Sequence, residues 1–82
     1  MTKLEMRNEI ERINQRIYRE LEFETRKAIY ERHHELLDHT GINKTKGGVI
    51  RYYLPKSASK EVIEDYLANL INTCYDVLGY GL

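Results

Sequence analysis

Tryptophan is absent from this chain, and cysteine, proline and phenylalanine occur once each. Each scarcity excludes something. A single thiol, Cys74, cannot close an internal disulfide, and no Cys/His spacing of the zinc-finger kind accompanies it, so neither a covalent staple nor a structural zinc ion is expected. A lone cysteine also suits a reducing compartment. No apolar run is long enough for a bilayer, and the charged opening "MTKLEMRNEIERINQR" lacks the apolar core of a signal peptide, so a cytoplasmic protein without membrane contact is expected. Catalytic motifs are equally scarce. "KTKGG" does not match G-x-x-x-x-G-K-[ST], and no G-x-S-x-G elbow surrounds Ser57 or Ser59, so neither a nucleotide-hydrolysing site nor a serine nucleophile is expected. The reading is a non-enzyme with no cofactor and no small-molecule substrate.

The 82 residues allow one domain, 1–82. A domain of this size buries only roughly 60% of the surface that its unfolded chain exposes. Lacking a disulfide or metal, it is expected to gain support from self-association or a partner, most simply as a homodimer. Hydrophobic residues make up 41% and charged residues 32%, too apolar for a disordered tail.

What is present is periodic. No Gly or Pro interrupts 2–39, and Met6, Ile10, Ile13, Ile17 and Leu21 recur at the spacing of one helical face. Past Leu21 the stripe drifts through Thr25, Ala28, Ile29, Arg32 and Leu36, with Phe23, Tyr30 and Leu37 beside it. An unbroken helix here would be about 50 Å long at ~1.5 Å per residue. Either it bends near "LEFETRK" or another chain covers it. The Met6–Leu21 stripe resembles a short coiled-coil seam, which favours a long helix packed on its symmetry mate.

Gly41 stands where a C-cap glycine belongs. The β-branched and aromatic run Val49–Leu54, preceded by Gly47-Gly48, predicts a short β-hairpin over 42–54 that Pro55 ends. Ser57 or Ser59 caps a second helix over 59–78, with Ile63, Leu67, Leu70, Cys74, Val77 and Leu78 as its buried stripe and Gly79 as its stop. The predicted fold is therefore α+β and mostly helical: long N-terminal helix, hairpin, second helix, paired as a homodimer through the long helix.

Net charge is zero, yet its distribution is uneven. Residues 40–60 carry five bases (Lys44, Lys46, Arg51, Lys56, Lys60) and no acid, whereas 61–82 carry four acids and no base. Tyr52 and Tyr53 interleave with the bases. Phosphate oxygens attract such cations, and unpaired bases stack on such rings. Strand alternation places Arg51 and Tyr53 on one face and Ile50, Tyr52 and Leu54 on the other. Lys44, Lys46, Arg51, Tyr53, Lys56 and Lys60 are thus the candidate site for nucleic acid or another phosphate-bearing partner. A protein partner, bound by the same hairpin or by an exposed helix face as an adaptor or inhibitor would bind it, is the alternative. A third possibility is structural: the basic segment lies against the acidic helix and neutralises it.

"ERHHELLDHTG" holds all three histidines. On a helix, His34 pairs with Asp38 and Glu35 with His39, roughly 100° apart around the axis, so each pair is half of a metal site rather than one site. A His-cluster metalloprotein ranks last, behind histidines that merely end a helix near its negative pole. Tyr18, Tyr30, Tyr75 and Tyr80 are expected to border a small core with their hydroxyls in water.

Overall fold

The computed structural model describes residues 1–37, 43–44 and 52–82, with side chains for 1–33 and 54–82. Three helices build the fold: α1 (Lys3–Glu20), α2 (Phe23–Leu37) and α3 (Lys60–Leu78). Thr2 starts α1 through a capping box: its hydroxyl accepts from the Glu5 amide at 3.1 Å, and the Glu5 carboxylate accepts from the Thr2 amide at 2.8 Å. Two amides that a helix start leaves without partners are thereby satisfied. Ser59 begins α3 by accepting from the Val62 amide at 3.2 Å, and Gly79 ends it at φ 80°, a left-handed conformation suited to glycine.

The single long helix over 2–39 is corrected to two. Leu21 is extended, at φ −110° and ψ 148°, and the Glu22 carbonyl accepts from the Arg26 amide at 2.9 Å to begin the next helix. No Gly or Pro marks this break; packing causes it. Met6, Ile10, Ile13 and Ile17 of α1 and Ile29, Tyr30 and His33 of α2 are all buried, and both helices pack on α3. A straight helix would carry the second set beyond the reach of α3. Each buried large side chain contributes about 1.5–3 kcal/mol, whereas each interrupted helical hydrogen bond forfeits a net of about 0.5–1.5 kcal/mol. Burial of Ile29 and Tyr30, with the His33 ring set against Tyr66, offsets the few bonds lost. Half-buried Leu21 packs against the core at the break itself.

The dimer seam is corrected with it. The stripe assigned to a symmetry mate is covered within the chain by Ile63, Leu67, Leu70 and Cys74 of α3, with Ala58 joining the same cluster. Met6, Ile10, Ile13 and Ile17 are at most 6% exposed, so this stripe is spent within the chain.

The α+β class is corrected as well, to a three-helix fold. No hairpin spanning 42–54 is seen as an element of the architecture. What is described there is a two-residue antiparallel pairing, Asn43 with Tyr53 and Lys44 with Tyr52. The rest of the segment assigned to the hairpin, 42 and 45–51, lies outside the described residues.

The hydroxyl of buried Thr73 has no hydrogen-bond partner among the described residues. An unsatisfied buried hydroxyl costs about 1–3 kcal/mol, and valine keeps the side chain's shape. Thr73→Val is therefore expected to raise the urea midpoint, by about 1 kcal/mol of stability; an unchanged or lower midpoint would mean that the hydroxyl is satisfied.

Candidate functional site

The basic segment enters α3 through a turn that the core holds in place. Ala58 is buried, and its amide donates to the Pro55 carbonyl at 3.1 Å. The Arg7 guanidinium of α1 donates to that same carbonyl. Lys56 and Lys60 stand exposed on either side of Ala58. A turn pinned at both Pro55 and Ala58 presents their ammonium groups from a rigid base rather than a loose loop. Among the described residues the ion pairs are Arg12–Glu9, Arg16–Glu20, Lys27–Glu31 and Arg32–Asp76. None uses Lys56 or Lys60.

Of the other candidate site residues, Lys44 and Tyr53 lie on the paired backbone segments, where the register sets Lys44 beside Tyr52. Lys46 and Arg51 lie outside the described residues. Arg7 is the residue that sequence reasoning missed. It belongs to the mixed-charge helix, and only the fold brings it to Pro55, next to Lys56. A helix position just outside the Met6–Ile10–Ile13 stripe was its one available signal.

His33 is corrected from a helix-end histidine to a core residue. Its ring is fully buried and meets the Tyr66 ring edge-on, with centroids 4.6 Å apart and planes at 87°. Asp38 and His39 lie outside the described residues; among those described, no group of three or more His, Cys, Asp or Glu side chains is placed to hold a metal ion. Tyr30 is likewise corrected: it is fully buried, and its hydroxyl donates to Asn14 Oδ1 at 2.6 Å, tying α2 to α1. Tyr75 and Tyr80 stay exposed. At the α1–α2 corner the Arg26 guanidinium lies 5.3 Å from the Tyr18 ring centroid and 5.9 Å from that of Phe23. Such cation–ring contacts brace the break between the helices.

Cys74 falls in the buried stripe, as its spacing implies, and burial pushes its thiol up to about 11 from 9.0. A thiol raised in the folded state favours folding while protonated, so its contribution is complete below pH 9 and is lost as pH rises through about 11. Stability is expected to fall across that window more steeply in the wild type than in Cys74→Ala. Parallel pH curves for the two proteins would contradict this. The same burial makes the thiolate scarce and the sulfur inert toward alkylation until the chain unfolds.

Among the described residues no helix is long and apolar enough to cross a membrane. Comparison of the chain with protein-family models, with curated proteins and with solved structures gave no match.

Proposed function

We propose that this is a non-catalytic regulatory or accessory protein that binds nucleic acid, or another phosphate-bearing partner, through residues 44–60. The observation that carries this reading is electrostatic. Five bases and no acid occur over residues 40–60, and the two whose side chains are described, Lys56 on the turn that Arg7 braces and Lys60 at the start of α3, stand exposed and outside the ion pairs among the described residues. Cations that are already solvated, unpaired and anchored exchange counterions for phosphates at little reorganisation cost. Lys44, Lys46, Arg51, Lys56 and Lys60 supply charge, and Tyr53 supplies a ring for stacking.

Titration of a 20-nucleotide single strand across a salt series tests this. Four or five phosphate contacts on a single strand give a slope of log K against log salt of roughly −2.8 to −3.5. Lys46→Glu combined with Arg51→Glu is expected to abolish binding. If that double variant binds as the wild type does, the proposal fails. A pull-down with and without nuclease separates it from a protein partner on the same segment, whose retention would survive the nuclease.

A further inference from the structure

Helix α3 carries a second stripe beside its buried one. Glu61, Glu64, Ala68, Ile71 and Tyr75 recur at spacings of three and four and are all exposed, Ile71 at 37% and Tyr75 at 55%. This stripe borders α1. Met1, Met6, Leu67, Ala68 and Ile71, with Glu64 at the edge, line an open apolar cavity of about 310 Å³. Ile71 also lines the adjoining cavity of about 130 Å³, whose wall continues through Ile13, Cys74 and Tyr75. The two share Ile71 on the α1–α3 seam, and the second is also lined by Arg12, Gly81 and Leu82. From Glu64 to Tyr75 the exposed stripe runs roughly 16 Å at ~1.5 Å per residue, three helical turns, which matches side chains spaced i, i+4 and i+7 on a partner helix.

The groove is apolar below and acidic at one end. Glu64 lines the edge and exposed Glu61 precedes it on the same stripe, and α3 has no base after Lys60. Their charges lie outside the ion pairs among the described residues, and Glu9 on the facing helix is occupied by Arg12. A second copy laid on this face through its own α3 would bring four carboxylates against one cation, Lys60, to Glu61 and Glu64. A phosphate backbone is repelled for the same reason. Both methionines of the chain line the floor, and flexible thioethers adapt to the side chains that enter.

We propose that the α1–α3 groove docks a cationic amphipathic helix of a partner protein, its apolar stripe on Met6, Leu67 and Ile71 and its lysine or arginine against Glu61 and Glu64. The site is separate from residues 44–60 and does not depend on their function.

A synthetic 14-residue peptide of leucine and lysine, with the leucines at helical spacing, serves as the probe, and a scramble of equal composition as the control. Methyl NMR of the full chain reads the site directly. The Met6 and Ile71 methyl signals are expected to shift with the amphipathic peptide and not with the scramble. Calorimetry is expected to show binding weakened at least tenfold by Ile71→Asp, and weakened by Glu64→Lys in low salt only. Ile71 is part-exposed, so an unchanged circular dichroism spectrum verifies that Ile71→Asp folds. The Lys46→Glu, Arg51→Glu variant is expected to bind the peptide as the wild type does, whatever becomes of nucleic-acid binding. Equal shifts with the scramble, or binding indifferent to Ile71→Asp, would overturn the proposal. So would a wild-type dimer that Ile71→Asp converts to a monomer in ultracentrifugation, since the groove would then hold a second copy.

Discussion

Ile17→Asp is expected to leave the chain largely unfolded at room temperature, at every protein concentration. Ile17 is fully buried against α3. Its removal forfeits about 1.5–3 kcal/mol of burial. The incoming carboxyl adds several kcal/mol more, because a core without a partner either holds it charged or forces it to take up a proton. A domain of 82 residues at roughly 0.05–0.15 kcal/mol per residue has only about 4–12 kcal/mol to lose. Leu4→Asp is the control, since Leu4 is 67% exposed on the far side of α1 and its change is expected to leave the melting curve in place. The outcome also separates two architectures. A seam between chains would let Ile17→Asp persist as a folded monomer with its helical spectrum intact, and such a spectrum would refute intramolecular burial.

The second large effect belongs to Tyr66→Ala. Tyr66 is 1% exposed and its ring receives the edge of His33, so it sits in the contact between α2 and α3. Truncating a buried aromatic side chain costs about 3–5 kcal/mol. At about 4–8 °C per kcal/mol for a domain of this size, the midpoint should fall by roughly 12–40 °C. The loss is also expected to be uneven. Hydrogen exchange should accelerate in α2 before α1, because α1 keeps its own contacts with Leu67, Leu70 and Cys74. Uniform acceleration would mean that the three helices open as one unit.

Local signals read well where one residue decides the outcome. Ser59 and Gly79 bound α3 as their chemistry implies, because a cap needs only a hydroxyl and a left-handed stop needs only the missing Cβ. The α1 stripe was equally legible as a face, yet its partner was not. Periodicity says that Met6, Ile10, Ile13 and Ile17 are covered and is silent on whether the cover is α3 or another chain. The break at Leu21–Glu22 was harder still. "YRELEFETRK" holds no helix breaker, so the break comes from three distant side chains, Ile29, Tyr30 and His33, that gain by turning back. The drift of the stripe beyond Leu21 was its only trace. Arg32, assigned to that stripe, instead reaches outward to Asp76 at 3.1 Å. His33 misled because histidine beside carboxylates suggests solvent or a ligand, while burial depends on the rotation of α2. For the candidate site, charge clustering was visible without a structure; the Arg7 hydrogen bond to the Pro55 carbonyl was not, since it joins residues far apart in the chain.

The central position of α3 sets the order in which this protein can acquire structure. α1 has 18 residues and α2 has 15, near the roughly 12–15 residues below which isolated helices are marginal in water. Both rest chiefly on a helix that is made last. A ribosome therefore releases α1 and α2 before α3, on which both chiefly pack, has been made. During that interval the isoleucine face of α1 is open to chaperones and to other nascent chains, and it closes only when α3 arrives.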